Sequence, residues 1–83
     1  MRYTARIRVT LRPSILDPQG KAVEHAIATL GVQSVRDVRI GKYVELSVEG
    51  GSEAEARTKT EEVCRKLLAN PVMEDYVYEI QKQ

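Results

Sequence analysis

From Tyr3 to Arg12 the chain alternates with a period of two: Tyr3, Ala5, Ile7, Val9 and Leu11 fall on one side, and Thr4, Arg6, Arg8, Thr10 and Arg12 on the other. That pattern fits a β-strand with one buried and one wet face. Any fold for this chain must lay an apolar layer against one side of a sheet and carry a row of arginines on the other. The alternation leaves no N-terminal apolar run of signal or transmembrane length, and a single Cys cannot make an intrachain disulfide. A soluble, cytoplasmic protein with no membrane partner is expected.

Pro13-Ser14-Ile15-Leu16 breaks the period and leads into Asp17-Pro18-Gln19-Gly20. The Asp17 carboxylate can cap a first helical turn, and Pro18 has its φ preset and lacks only an N–H that would be unpaired there. Neither argument covers Gln19 or Gly20. A first-turn glycine costs about 1 kcal/mol relative to Ala, so Gly20 points to close approach by another chain or a ligand. Ala22, Val23, Ala26, Ile27 and Leu30 then recur at helical spacing, which predicts a helix from Pro18 to Leu30 with Gly31 as its left-handed cap. Ser34 to Ile40 and Lys42 to Glu49 read as two strands joined by a tight turn at Gly41, the first shifting register midway. Ser52 with Glu55 three residues on is a capping box opening a second helix. Its stripe is Ala56, Thr60, Val63, Cys64, Leu67 and Leu68, with Glu61/Arg65 and Glu62/Lys66 spaced for pairing on the wet side. It must stop before Pro71, and a last strand runs from Glu74 to Ile80.

The sum is β-α-β-β-α-β in a single domain over residues 1–83. This is an α+β, two-layer, ferredoxin-like arrangement: a four-stranded antiparallel sheet with two helices on one face. Strands one and three would be central neighbours, setting Arg6, Arg8 and Arg12 beside Glu45 and Glu49. A domain of this size buries only about 60 per cent of its unfolded surface. With no Trp and no Phe its core is thin and aliphatic, which favours a homo-oligomer.

Candidate chemistry is sparse. His25 and Cys64 are the only conventional base and nucleophile; Cys64 lies on the apolar stripe, where a free Cys is a buried structural thiol. No metal-ligand spacing and no phosphate loop occur, so no catalytic, metal or cofactor-binding residue is predicted. The arginine row raises RNA binding, but sheets that bind RNA stack bases on central-strand aromatics. Strand one offers only Tyr3, on the apolar side, and the net charge of +1 steers nothing; no nucleic acid is expected. Three motifs remain: Asp17-Pro18-Gln19-Gly20, Arg39-Ile40-Gly41-Lys42 and Leu67-Leu68-Ala69-Asn70-Pro71-Val72. Singly they read as helix start, hairpin turn and helix stop.

Taken together, these motifs resemble the PurS family, the small subunit of phosphoribosylformylglycinamidine synthase. Its pattern V-x-L-x-P-G-V-L-D-P-Q-G is matched by Val9 to Gly20 with Ser14 in place of Gly; L-G, R-x-G-K and C-x-K-L-L-A-N-P are matched by Leu30-Gly31, Arg39 to Lys42 and Cys64 to Pro71. The resemblance implies a subunit without catalytic residues that bridges a glutaminase subunit and a large synthetase subunit in purine biosynthesis. In that reading it assists ammonia transfer, assembles as a homodimer or tetramer, and leaves ATP and magnesium to the synthetase. Asp17, Gln19, Gly20, Arg39, Gly41, Lys42, Asn70 and Pro71 are the predicted partner-interface residues. The alternative on the fold alone is a free-standing regulatory module that binds a small metabolite at a subunit interface.

Overall fold

The computed structural model describes all 83 residues. The alternating segment forms β1 (Arg2–Leu11), followed by α1 (Pro18–Thr29), β2 (Gly41–Glu49), α2 (Glu53–Val63), a π-helical stretch Cys64–Leu68 and β3 (Glu74–Lys82). β1 is central and antiparallel to both neighbours, in the order β2-β1-β3. Arg2 lies opposite Glu49, Arg6 opposite Glu45, and Ala5 opposite both Leu46 and Ile80. The alternation decides which face is covered: Tyr3, Ala5, Ile7 and Val9 are buried with Val48, Ala56, Cys64 and Ala69. The other face carries the expected Arg6–Glu45 pair at 3.8 Å, but Glu49 is met by Arg2 at 3.5 Å, and Arg8 and Arg12 pair across the other side of β1 with Glu79 at 3.8 Å and Asp75 at 3.3 Å.

The sheet has three strands, not the four expected. The strand predicted over Ser34 to Ile40 is an irregular connection, and Gly41 opens β2 instead of turning a hairpin. Two left-handed residues, Ser34 (φ 71°) and Asp37 (φ 58°), break the extended backbone. The N–H groups a ladder would use are taken by carboxylates: Asp37 N–H donates to Glu24 Oε1 at 2.6 Å and Ile40 N–H to Asp17 Oδ2 at 2.8 Å. The strand expected at the centre beside β1 thus becomes an edge.

Only one helix covers the sheet. α2 is capped as read, with Glu55 N–H donating to Ser52 Oγ at 3.2 Å and Gly51 N–H to Glu55 Oε2 at 2.9 Å. α1 has its predicted start and its left-handed Gly31 (φ 88°), but of its residues only Gly20 is buried. It extends beyond the end of the sheet. A ten-residue strand of about 33 Å and a twelve-residue helix of about 18 Å together account for the long axis, which measures 51 Å. The radius of gyration is 16.3 Å, against about 12 Å for a compact chain of this length. The apolar stripe of α1 is consequently left without a partner in the protomer.

The π-helical stretch corrects the reading of α2. Ala69 N–H donates to Cys64 O at 2.9 Å, closing a wider turn. The extra residue rotates Leu67 out of the predicted stripe to 78% exposure while Cys64 and Ala69 stay buried. Glu62–Lys66 pairs at 2.9 Å, but Glu61 does not pair with Arg65: it accepts a hydrogen bond from Tyr76 Oη at 2.6 Å.

Candidate partner interface

The eight predicted interface residues lie far apart in sequence and converge at one end of the sheet, where β1 finishes and β2, β3 and α1 begin. Asp17, Gln19, Gly41 and Lys42 line one cleft there, of about 460 Å³, with Leu11, Pro18, Ile40 and Glu74. Asp17 and Arg39 line a second, of about 550 Å³, with Thr10, Leu16, Lys21, Asp37 and Asp75.

Asp17 holds this end together. It is buried, and its carboxylate accepts from Gly20 N–H at 2.9 Å and Ile40 N–H at 2.8 Å, so one residue caps α1 and ties down the 32–40 connection. The Ile40 N–H, then that of Gly20, holds the carboxyl below its ordinary range, with Arg39 adding to both against the opposing effect of burial. Glu24 is lowered likewise, mainly by the Asp37 N–H. Arg39 spans the gap opposite: its guanidinium donates to Arg12 O at 2.7 Å, Ile15 O at 3.1 Å and Leu11 O at 3.3 Å, fixing the β1–α1 connection by its own backbone.

Both glycines of the motifs are close-approach positions within the chain. A Cβ on Gly20 would overlap Val38 O and come within 2.9 Å of Asp17 Oδ2; one on Gly41 would stand 2.5 Å from Val9 O. The glycine that local helix energetics left unexplained is explained by the connection packed across it. Lys42 Nζ donates to Leu68 O at 2.7 Å, a partner for the π-helical stretch's end. Asn70 Oδ1 accepts from Val72 N–H at 3.0 Å, and Pro71 O accepts from the Arg12 guanidinium at 2.6 Å.

Like most of the eight, Gln19 is exposed, but it is the one polar side chain among them that makes no hydrogen bond within the protomer. In and beside the motif segments the structure also exposes residues that sequence reasoning missed, Leu16, Leu67 and Val72, by 70%, 78% and 76%. Leu67 and Val72 are the two ends of a motif already singled out, and Leu16 directly precedes another. Leu67 was hidden by the assumption of an unbroken α-helical period, although a Leu67-Leu68 doublet before Asn-Pro exceeds what one stripe needs. No group of three His, Cys, Asp or Glu side chains is placed to hold a metal ion, and no helix is long and apolar enough to cross a membrane. His25 is exposed, and Cys64 is buried, with its thiol pushed up by burial.

An elongated α+β protomer with an uncovered helix and a polar–apolar rim of backbone-fixing residues has the construction of a small assembly subunit. The family model for phosphoribosylformylglycinamidine (FGAM) synthase, PurS, matches residues 4–82. The chain is 48% identical over 80 residues to the PurS subunit of Bacillus subtilis, covering 96% of this chain and 94% of that one. It is 51% identical over 78 residues to that of Synechocystis, covering 94% and 78%. A chain in the structure of PurLQS from Thermotoga maritima superposes with a TM-score of 0.90 at 29% identity, covering 96% of this chain and 98% of that one. The chain belongs to the PurS family, subunits of FGAM synthase, a ligase of purine biosynthesis.

Proposed function

We propose that this subunit contributes no reacting group and acts by holding the glutaminase and synthetase subunits in register in the cytoplasm, sheltering ammonia as it passes between them. The observation that carries the reading is the near full-length match to a chain of PurLQS. The chemistry supplies the need: at neutral pH free ammonia is mostly ammonium, which has no lone pair to attack an activated amide. A docking subunit accelerates such a reaction by positioning and by excluding water. In this reading ATP and magnesium belong to the synthetase subunit.

The partner face is the motif-bearing end of the sheet. Asp17, Gly20, Arg39, Gly41, Lys42, Asn70 and Pro71 shape it, while the exposed Gln19, Leu16, Leu67 and Val72 make the contact. A second copy of the chain covers α1. Val23 and Leu30 are 37% and 79% exposed, Ala22 and Ala26 are exposed, and Val32 and Val35 continue the stripe beyond the helix. A helix with one bare apolar side is stable only when that side is buried.

The test is glutamine-dependent turnover by purified glutaminase and synthetase subunits. Full turnover is expected only when this chain is added; full turnover without it would sink the proposal. Gln19→Arg should weaken co-purification with the larger subunits at unchanged thermal stability. Ile27→Glu should lower the mass of the homo-oligomer.

A further inference from the structure

The larger cleft at the motif-bearing end of the sheet, of about 550 Å³, falls within the range of about 300–1,000 Å³ usual for pockets that hold a ligand. Its walls are largely apolar. Leu11, Pro13 and Leu16, from the end of β1 and the connection after it, line it together with Val38 of the 32–40 connection. The two connections are cross-linked by Arg39, which donates to Leu11 O, Arg12 O and Ile15 O. The 32–40 connection is also tied to α1 and its cap, through Asp37 N–H to Glu24 and Ile40 N–H to Asp17. The shape of the cleft is therefore set before anything enters it, which removes part of the ordering cost of binding.

The charges along these walls have partners, with one exception. Arg39 uses its donors on the three carbonyls, and Asp17 accepts two backbone N–H groups. Lys21 Nζ lies 3.6 Å from Glu24 Oε2, and Asp75 Oδ1 lies 3.3 Å from Arg12 Nε. Asp37 donates its backbone N–H to Glu24, but its carboxylate makes no hydrogen bond and no ion pair in the protomer, not even with the neighbouring Arg36. Asp37 is exposed and stands at φ 58°, a left-handed conformation that Asp and Asn accept more readily than other side chains. An unpartnered anion is thus held at a fixed point of an apolar-walled cleft.

We propose, resting on the bridging reading above, that this cleft takes an arginine side chain of one of the two larger subunits, with its methylenes along Leu16 and Val38 and its guanidinium on the Asp37 carboxylate. An arginine combines the two properties the cleft asks for: an apolar stem that packs on aliphatic walls and a planar head that forks onto a carboxylate with two parallel bonds. Arginine is also enriched among the residues that anchor protein interfaces. The sign excludes a polyanion, because Asp17, Asp37 and Asp75 outnumber Lys21 and Arg39 among the lining charges. A free small cation would leave Leu16, 70% exposed on the same wall, in water; a protein surface carrying the arginine covers it in the same contact.

The test is titration calorimetry of the full-length chain against the purified synthetase and glutaminase subunits at low and at physiological salt. Asp37→Asn removes the charge and keeps the left-handed backbone. It should weaken association with one of the two subunits by about tenfold and make that affinity less sensitive to salt than the wild type's. Asp37→Lys should weaken it by about a further tenfold, since like charges then meet. Because the carboxylate has no partner in the protomer, the Asn variant should unfold at the wild-type temperature and keep the wild-type homo-oligomer mass. Wild-type affinity and salt dependence in the Asn variant would overturn this inference and leave the bridging reading standing. A fall in its homo-oligomer mass would give the cleft to a second copy and overturn the inference likewise. A wild-type chain that binds neither larger subunit would instead remove the bridging reading, and this inference with it.

Discussion

Gly20→Ala separates steric packing from helix propensity, because the two act in opposite directions. On propensity alone alanine in a helix should stabilise by about 1 kcal/mol. The added Cβ, however, would overlap the Val38 carbonyl and press on the Asp17 carboxylate at 2.9 Å. The obstacle is backbone, so relief requires moving the 37–40 connection, and that movement opens the 2.8 Å bond from Ile40 N–H to Asp17. Overpacking of this kind costs about 1–3 kcal/mol, and the top of that range applies when backbone must yield. The net expectation is a loss of roughly 2 kcal/mol, about 8–16 °C in Tm for a chain this short.

Gly31→Ala is the control. Gly31 has φ 88° and open space around its Cα, so its cost is the left-handed backbone alone, about 1 kcal/mol. Both are measured by urea unfolding followed by circular dichroism at one protomer concentration, since self-association raises apparent stability. A Gly20→Ala chain as stable as wild type, or more so, would refute the packing argument. Gly20 would then be free to serve a partner directly.

Tyr76 gives a pH-dependent prediction. Its hydroxyl donates to Glu61, and that bond, with burial next, pushes its pKa up from 10 to about 12. The folded chain keeps a proton that the unfolded chain releases, so this contribution is complete below pH 10 and lost between pH 10 and about 12. Tyr76→Phe should flatten that part of the alkaline limb, measured as urea midpoint against pH. The same bond, followed by one from Tyr78, holds Glu61 below its ordinary 4.5, a contribution present above pH 4.5 and lost as pH falls through the depressed value; Tyr76→Phe should diminish this acid slope too. Arg39→Lys keeps the charge but replaces a planar fork with a point donor. It should cost about 1 kcal/mol of stability and speed proteolysis within residues 12–16.

The elements legible in the sequence are those coded by local chemistry. The alternation in β1 fixed which face is covered, Asp17-Pro18 marked the start of α1, Gly31 its end, and Ser52 with Glu55 the start of α2, because period and capping act over a few residues. The antiparallel match of Arg6 with Glu45 also followed from strand order, whereas Glu49 is taken by Arg2. The missing strand did not. Val35, Val38 and Ile40 satisfy β propensity, but whether Ile40 N–H bonds a neighbouring strand or the Asp17 carboxylate depends on a residue 23 positions away. For the site, motif order brought forward residues that the fold gathers at one end of the sheet, and only the fold showed that seven of the eight are engaged inside the protomer while the Gln19 side chain is not.

The sequence by itself determined the family, the sheet's buried face and where each helix starts, since each is written in residue identity or short-range periodicity. Tertiary structure alone decided that the sheet stops at three strands, that Gly20 accommodates Val38, that the π-helical turn exposes Leu67, and that α1 projects beyond the sheet. Those outcomes are competitions between distant groups for the same hydrogen bonds and the same space, and a linear pattern does not record which competitor wins.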